Sequence, residues 1–282
     1  MLLLLGLFAA GVLEVTDRGS EGVRMGRAHS NARALTDLGL TRAAWVLKTG
    51  TEGARARPLR ADGLAWTDSL PSGRVAIRIT PADSLVDINL AGDPVLRDLA
   101  HMIARKSGDP EAAPDIAAAL AEARGRHSSV LSVAEVIGGV LGTRAQMADI
   151  ATVLTVGGGG SVPDLSRAPE ALLRGLFQMT PEALAEVLAR RREAGPAPLP
   201  QYAYPDPETA ADPLSPPRGP VWHVSVAAQT GAAGRAGRAW VIFLPLPEMR
   251  ADQPYFVLES WQLSPEDELF HALRPADENR SP

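Results

Sequence analysis

The sequence predicts an α+β protein: a long N-terminal helix, then a small antiparallel sheet interrupted by a large all-α insertion. Three observations predict it. Residues 14–49 contain no proline and carry apolar residues along one helical face. Residues 73–79, and three stretches after residue 220, alternate as half-buried strands do. Between them, residues 94–192 are patterned as helices. The strand at 73–79 cannot form a sheet alone, so it is expected to join the three late strands. The helical block then becomes an insertion between them.

Composition bounds the function. A chain of 282 residues, 45% hydrophobic and 22% charged, is long enough and apolar enough to bury a core. It has no cysteine, which excludes disulfides, thiolate metal sites and cysteine nucleophiles. The net charge is -5. Residues 1–60 hold nine basic and five acidic side chains, so the remainder is acidic and a poor electrostatic match for nucleic acid.

Residues 1–13, MLLLLGLFAAGVL, are uncharged. A membrane span needs about 20 apolar residues, and a signal peptide needs a basic start. Three readings stay open: part of a membrane helix that begins before this run, an atypical signal, and a buried helix end. The abrupt, fully apolar start favours the first. Residues 14–50 then form an amphipathic stem in which Ala28, Ala32, Leu35 and Leu38 step along one face, with Gly50 as its stop.

Residues 51–90 hold the first strand, 73–79, which Pro81 ends, and an extended link at 85–90. Residues 91–195 form the helical insertion. Val95, Leu96, Leu99 and Ile103 fit one helix. Ile116 and Leu120 fit a second, Val133, Val136, Ile137 and Val140 a third, and Met147, Ile150, Val153 and Leu154 a fourth. After glycines 157–160, a helical hairpin runs from 168 to 192, with Pro169 and Pro181 at helix starts and Thr180 as a cap. Residues 196–220 are a proline-rich loop. Residues 221–263 carry strands at 221–226, 239–244 and 255–261, the first two joined by a hairpin loop at 231–237. Residues 264–282 are polar and read as a frayed tail.

No catalytic signature is present: no Gly-x-Ser-x-Gly, no His-Glu-x-x-His and no Walker lysine. The five histidines are scattered and read as surface or packing residues. The glycines at 157–160 lack the Lys-Ser/Thr of a phosphate cradle. The 168–192 hairpin has a helix-hairpin-helix look, but Phe177-Gln178-Met179-Thr180 replaces the glycine-rich turn that would offer backbone N–H groups to phosphate. A structural packing unit is the reading favoured for it. Arg190, Arg191 and Arg192 would be the phosphate contacts of the alternative, a membrane-tethered DNA-binding protein.

Two stretches carry a resemblance. Asp87-Ile88-Asn89-Leu90 follows the first strand, and Ala168-Pro169-Glu170-Ala171-Leu172-Leu173 opens the hairpin whose second helix ends in arginines. In that order and spacing they resemble general secretion pathway protein K, the large minor pseudopilin of type II secretion. Asp87, Asn89, Leu90, Ala168, Pro169, Leu172 and Leu173 are the residues that match. The basic leader and glycine of a prepilin peptidase site are not among the matches. The resemblance implies a pilin-like sheet domain and a SAM-like or helix-hairpin-helix-like insertion. It also implies a single pass through the inner membrane with the globular part in the periplasm. It implies no enzymatic activity, no nucleic acid and no small-molecule substrate. The implied partners are the I- and J-type minor pseudopilins and the major pseudopilin, with the chain capping the pseudopilus tip. It further implies calcium in the globular part, for which Asp206, Glu208 and Asp212 in the proline-rich loop are the loose candidates. A solvated polar loop is the reading those three residues favour by themselves.

Overall fold

The computed structural model describes residues 2–49, 63–126, 132–133, 152–157, 163–164, 167–193, 221–231, 233–244, 255–263, 265 and 267–273, with the backbone alone for residues 2–20, 49, 106, 107 and 126. Helix α1 spans Leu2–Thr49, 48 residues, which at 1.5 Å per residue is about 70 Å. It ends one residue before Gly50, as the sequence predicts. Residues 21–27 are exposed; from Ala28 onward the helix lies on the sheet.

That sheet has five antiparallel strands in the order β1 (Ala65–Leu70), β2 (Gly73–Pro81), β5 (Val221–Thr230), β6 (Gly234–Phe243) and β7 (Phe256–Gln262). The early strand therefore does pair with the late ones, Ile77 opposite Val226 and Pro81 opposite Trp222. Strand β1 is an addition to the predicted set. It pairs with β2 through the two-residue turn at 71–72, and Arg42 of α1 reaches it, 2.5 Å from Asp68 and stacked 4.5 Å over Trp66.

Strand alternation sorts the two faces of the sheet. Ile77, Ile79, Val224, Val226 and Ile242, all fully buried, face α1 and its Leu40, Ala43, Ala44 and Leu47. Each such aliphatic side chain contributes about 1.5–3 kcal/mol on burial, which holds helix to sheet. The approach is close. A Cβ at Gly39 would lie 2.6 Å from the Val226 Cγ1, and one at Gly234 would lie 2.5 Å from the Ala28 carbonyl oxygen. Gly39→Leu is therefore expected to push α1 off the sheet and cost about 3 kcal/mol of stability, read as a lower denaturation midpoint.

The opposite face carries smaller residues, Ala76, Ala227 and Ala239. A short helix, α6 (Glu268–Ala272), packs there through Leu269. This differs from the expected frayed tail. Asp267 caps α6 by accepting from the Leu269 N–H at 2.9 Å, and its carboxylate meets Arg78 at 3.2 Å with both side chains largely buried. The β5–β6 loop is also tighter than predicted, because Gly234 and Gly237 already pair with Thr230 and Ala227.

The chain leaves the sheet after β2 and returns at β5. Between them lie β3 (Val86–Asp87), α2 (Asp93–Ser107), α3 (Ala113–Arg126), β4 (Leu154–Thr155), α4 (Glu170–Gly175) and α5 (Pro181–Glu193). Their core joins Leu96, Leu99, Ile103, Ile116, Leu120, Leu172, Leu173 and Leu184, with Val86 and Ile88 from the link after β2. Leu154, expected in a fourth helix, instead pairs in parallel with Val86. Val136, Ile137, Val140, Met147 and Ile150 lie outside the described residues. Thr180 caps α5 as predicted, accepting from the Ala183 N–H at 3.3 Å.

The apolar run at the N-terminus requires a correction. Among the described residues no helix is long and apolar enough to cross a membrane, which overturns the single-pass inner-membrane reading. The physical reason lies in the sequence of α1. Its uncharged run stops at Glu14, and Asp17, Arg18 and Glu21 follow before 20 apolar residues accumulate.

Candidate functional site

With no catalytic constellation in the sequence, the surfaces that could meet partners are the ones to build. The exposed part of α1 comes first. Each helical residue turns the chain about 100°. Ala32 and Leu35 fall on the sheet side and are buried there, Leu35 against Val75 and Ala228. Ala28 is half-buried, and its carbonyl accepts from the Thr230 hydroxyl at 2.6 Å. Gly39 and Leu40 continue that stripe, which leaves Leu38 on the far side, 51% exposed. Trp45, two turns further along the same side, is 52% exposed. Three of the four stem residues singled out in the sequence thus meet this chain's own sheet. Trp45 was missed, although its seven-residue spacing from Leu38 is the signal that finds it.

The motif residues after β2 make a turn. The Asp87 carboxylate accepts from the Asn89 N–H at 3.0 Å, and its carbonyl from the N–H groups of Leu90 and Ala91 at 3.1 and 2.8 Å. An Asx turn of this kind redirects the chain from β3 into α2. Leu90 projects into solvent, 49% exposed.

The second motif is internal. Ala168, Leu172 and Leu173 are fully buried. The Pro169 carbonyl accepts from the N–H groups of Leu172 and Leu173 at 3.0 and 3.1 Å. Glu170 pairs with Arg174 one helical turn on. Of the three arginines that a DNA contact would use, Arg191 is buried and donates to the Ala168 carbonyl at 2.8 Å, and Arg190 pairs with Glu186. Arg191 thus ties α5 to the start of the hairpin, and its charge is not presented to a phosphate. Asp206, Glu208 and Asp212 lie outside the described residues. Among the described residues no group of three or more His, Asp or Glu side chains could hold a metal ion.

The helical block is joined to the sheet by a polar and aromatic seam that sequence reading did not find. His223 of β5 lies 3.2 Å from the Thr155 hydroxyl through its Nε2. The Trp261 ring of β7 meets it edge-on at 5.9 Å. Burial lowers the His223 pKa from 6.5 to about 3, so the ring is neutral. Arg167 bridges Asp164 and Asp83 at 2.8 and 3.1 Å, and the Glu259 carboxylate accepts from the Val133 N–H at 2.7 Å.

These contacts fix where the block sits. It leaves the sheet at Pro81 and rejoins it at Val221, the end covered by Leu40–Leu47 of α1. Ala28 and the projecting part of α1 are at the other end, beside Thr230 and Gly234. A long helix packed on one face of an antiparallel sheet, with a helical block between its second and third strands, is a pilin-like α+β fold. No family model matches the sequence, and no curated protein does. The chain is similar to one chain of the solved GspK-GspI-GspJ complex from the enterotoxigenic Escherichia coli type 2 secretion system. The two are 14% identical, with a TM-score of 0.37, over 88% of this chain and 99% of that one.

Proposed function

We propose that this chain is a minor pseudopilin of type II secretion, of the general secretion pathway protein K kind, that ends the pseudopilus together with I- and J-type minor pseudopilins. It acts by assembly and steric shape and performs no reaction. One observation carries the reading: the helical block stands at the end of the sheet opposite the projecting stem. Subunits stacked along parallel stems need the space beyond each head for the next head. A helical block there blocks further stacking, so such a subunit belongs at the tip.

Stem packing then falls to the face that the sheet leaves open. Leu38 and Trp45 form its apolar part, and a tryptophan over half exposed is the kind of residue that dominates interface energies. Pull-down of the full chain with I- and J-type minor pseudopilins tests the reading, and failure to form any complex overturns it. Leu38→Asp is expected to weaken the complex at least tenfold and to leave the melting temperature within about 2 °C, because this side chain already faces solvent.

A further inference from the structure

The two strands at the sheet edge are of unequal reach. Strand β7 stops at Gln262, opposite Arg238, whereas β6 begins four residues earlier at Gly234. Among the described residues, 234–237 therefore have β5 on one side and no strand on the other. The Gly237 carbonyl accepts from the Leu263 N–H at 3.1 Å, so Gly237 directs its backbone groups outward. Backbone direction alternates along an antiparallel strand, with N–H and C=O of one residue on the same side. Arg235, two residues earlier, thus turns both its N–H and its C=O to the open edge.

A cleft of about 520 Å³ lies at this edge, between α1 and the end of β7. Arg33 lines it from α1, Arg238 from the α1 face of β6 and Arg235 from the opposite face of the same strand, and the other ionisable groups are Asp37 and His29 of α1. Three arginines thus line the cleft against one aspartate. Arg238 donates to the Ser260 hydroxyl at 2.8 Å and stacks on Trp240. Among the described residues Arg33 and Arg235 make no ion pair, whereas Arg42, Arg78, Arg124 and Arg167 each meet a carboxylate. An open strand edge recognises an extended backbone, and arginine forks recognise carboxylates. The cleft also lies at the end of the sheet from which the stem projects, where a subunit packed along that stem would sit.

We infer that this cleft docks an extended, acidic segment of a partner minor pseudopilin, which adds a short strand to β6 while its carboxylates pair with Arg33, Arg235 and Arg238. The inference rests on the pseudopilin reading and goes beyond it in naming the surface and its chemistry. Affinity of the full chain for I- and J-type minor pseudopilins, measured at two salt concentrations, tests it. The triple variant R33E/R235E/R238E is expected to bind at least 100-fold more weakly, and the wild-type complex to weaken with salt. R97E, on the exposed side of α2 in the helical block and outside the cleft, is expected to bind as wild type. R235P removes only an outward N–H from an edge position, so it is expected to fold and to bind more weakly than R235A. Should the triple variant lose its thermal transition, R33Q and R235Q decide the matter, each with an expected loss of fivefold or more. Cleft variants that bind within twofold of wild type would overturn the docking inference and leave the pseudopilin reading standing. A wild-type chain that binds neither partner overturns both.

Discussion

Trp261→Ala is expected to lower the unfolding free energy by roughly 3 kcal/mol and to loosen the join between sheet and helical block. The residue is partly buried, but it packs against three clusters at once: the helical-block core, the α6 cluster, and the group formed by Ala82, Val221, Val241 and Phe243. It also meets the His223 ring edge-on at 5.9 Å. Truncation opens a cavity where these groups converge. Denaturant melts measure the loss. Limited proteolysis locates it, with cleavage expected in the helical block before the sheet. Trp261→Phe keeps an aromatic ring at the seam and is expected to recover most of the stability. Equal stability of Trp261→Ala and wild type would remove the seam from the account of how the block is held.

Acid is expected to open the same seam. His223 is buried, and its pKa falls from 6.5 to about 3 because the charged ring would lose its hydration. Above pH 6.5 the ring is neutral in the folded and the unfolded chain, and stability is full. Below it the unfolded chain takes up a proton that the folded chain refuses until about pH 3, so stability falls across that window. At pH 4 the loss from this one group is about 3 kcal/mol, at 1.36 kcal/mol per pH unit. The double variant H223L/T155V replaces both partners of the 3.2 Å contact with apolar groups of similar shape. It is expected to stay within about 1.5 kcal/mol of wild type at pH 7 and to lose that share of the acid sensitivity. Stability measured at pH 7, 5 and 4 for both proteins checks the difference in slope. Parallel curves would mean that His223 titrates in the folded chain as it does in water.

Much of the architecture was legible in the residues. The stem's end, the pairing of residues 73–79 with the late strands, the first two helices of the block and the Thr180 cap all follow from local pattern. Strand β1 was not legible, because Asp68 and Ser69 mask its alternation and its partners come from β2 and from Arg42. Helix α6 was hidden for a related reason: five residues give too short a period to register, and its hold comes from Leu269, Asp267 and Arg78. Leu154 carries a helical spacing from Ile150 but pairs with Val86, a contact nearly seventy residues away.

Sequence alone determined that a proline-free helix precedes a sheet split by a helical block, since each of those elements repeats its apolar residues at its own period. Periodicity records that a side is apolar; it does not record what covers that side. Only tertiary structure decided that Ala32 and Leu35 meet this chain's own sheet while Leu38 and Trp45 face outward. It likewise set His223 against Thr155 and gathered Arg33, Arg235 and Arg238 around one open strand edge. Each of those groupings joins residues dozens to hundreds of positions apart, and their proximity is a property of the packed sheet that no short window of sequence contains.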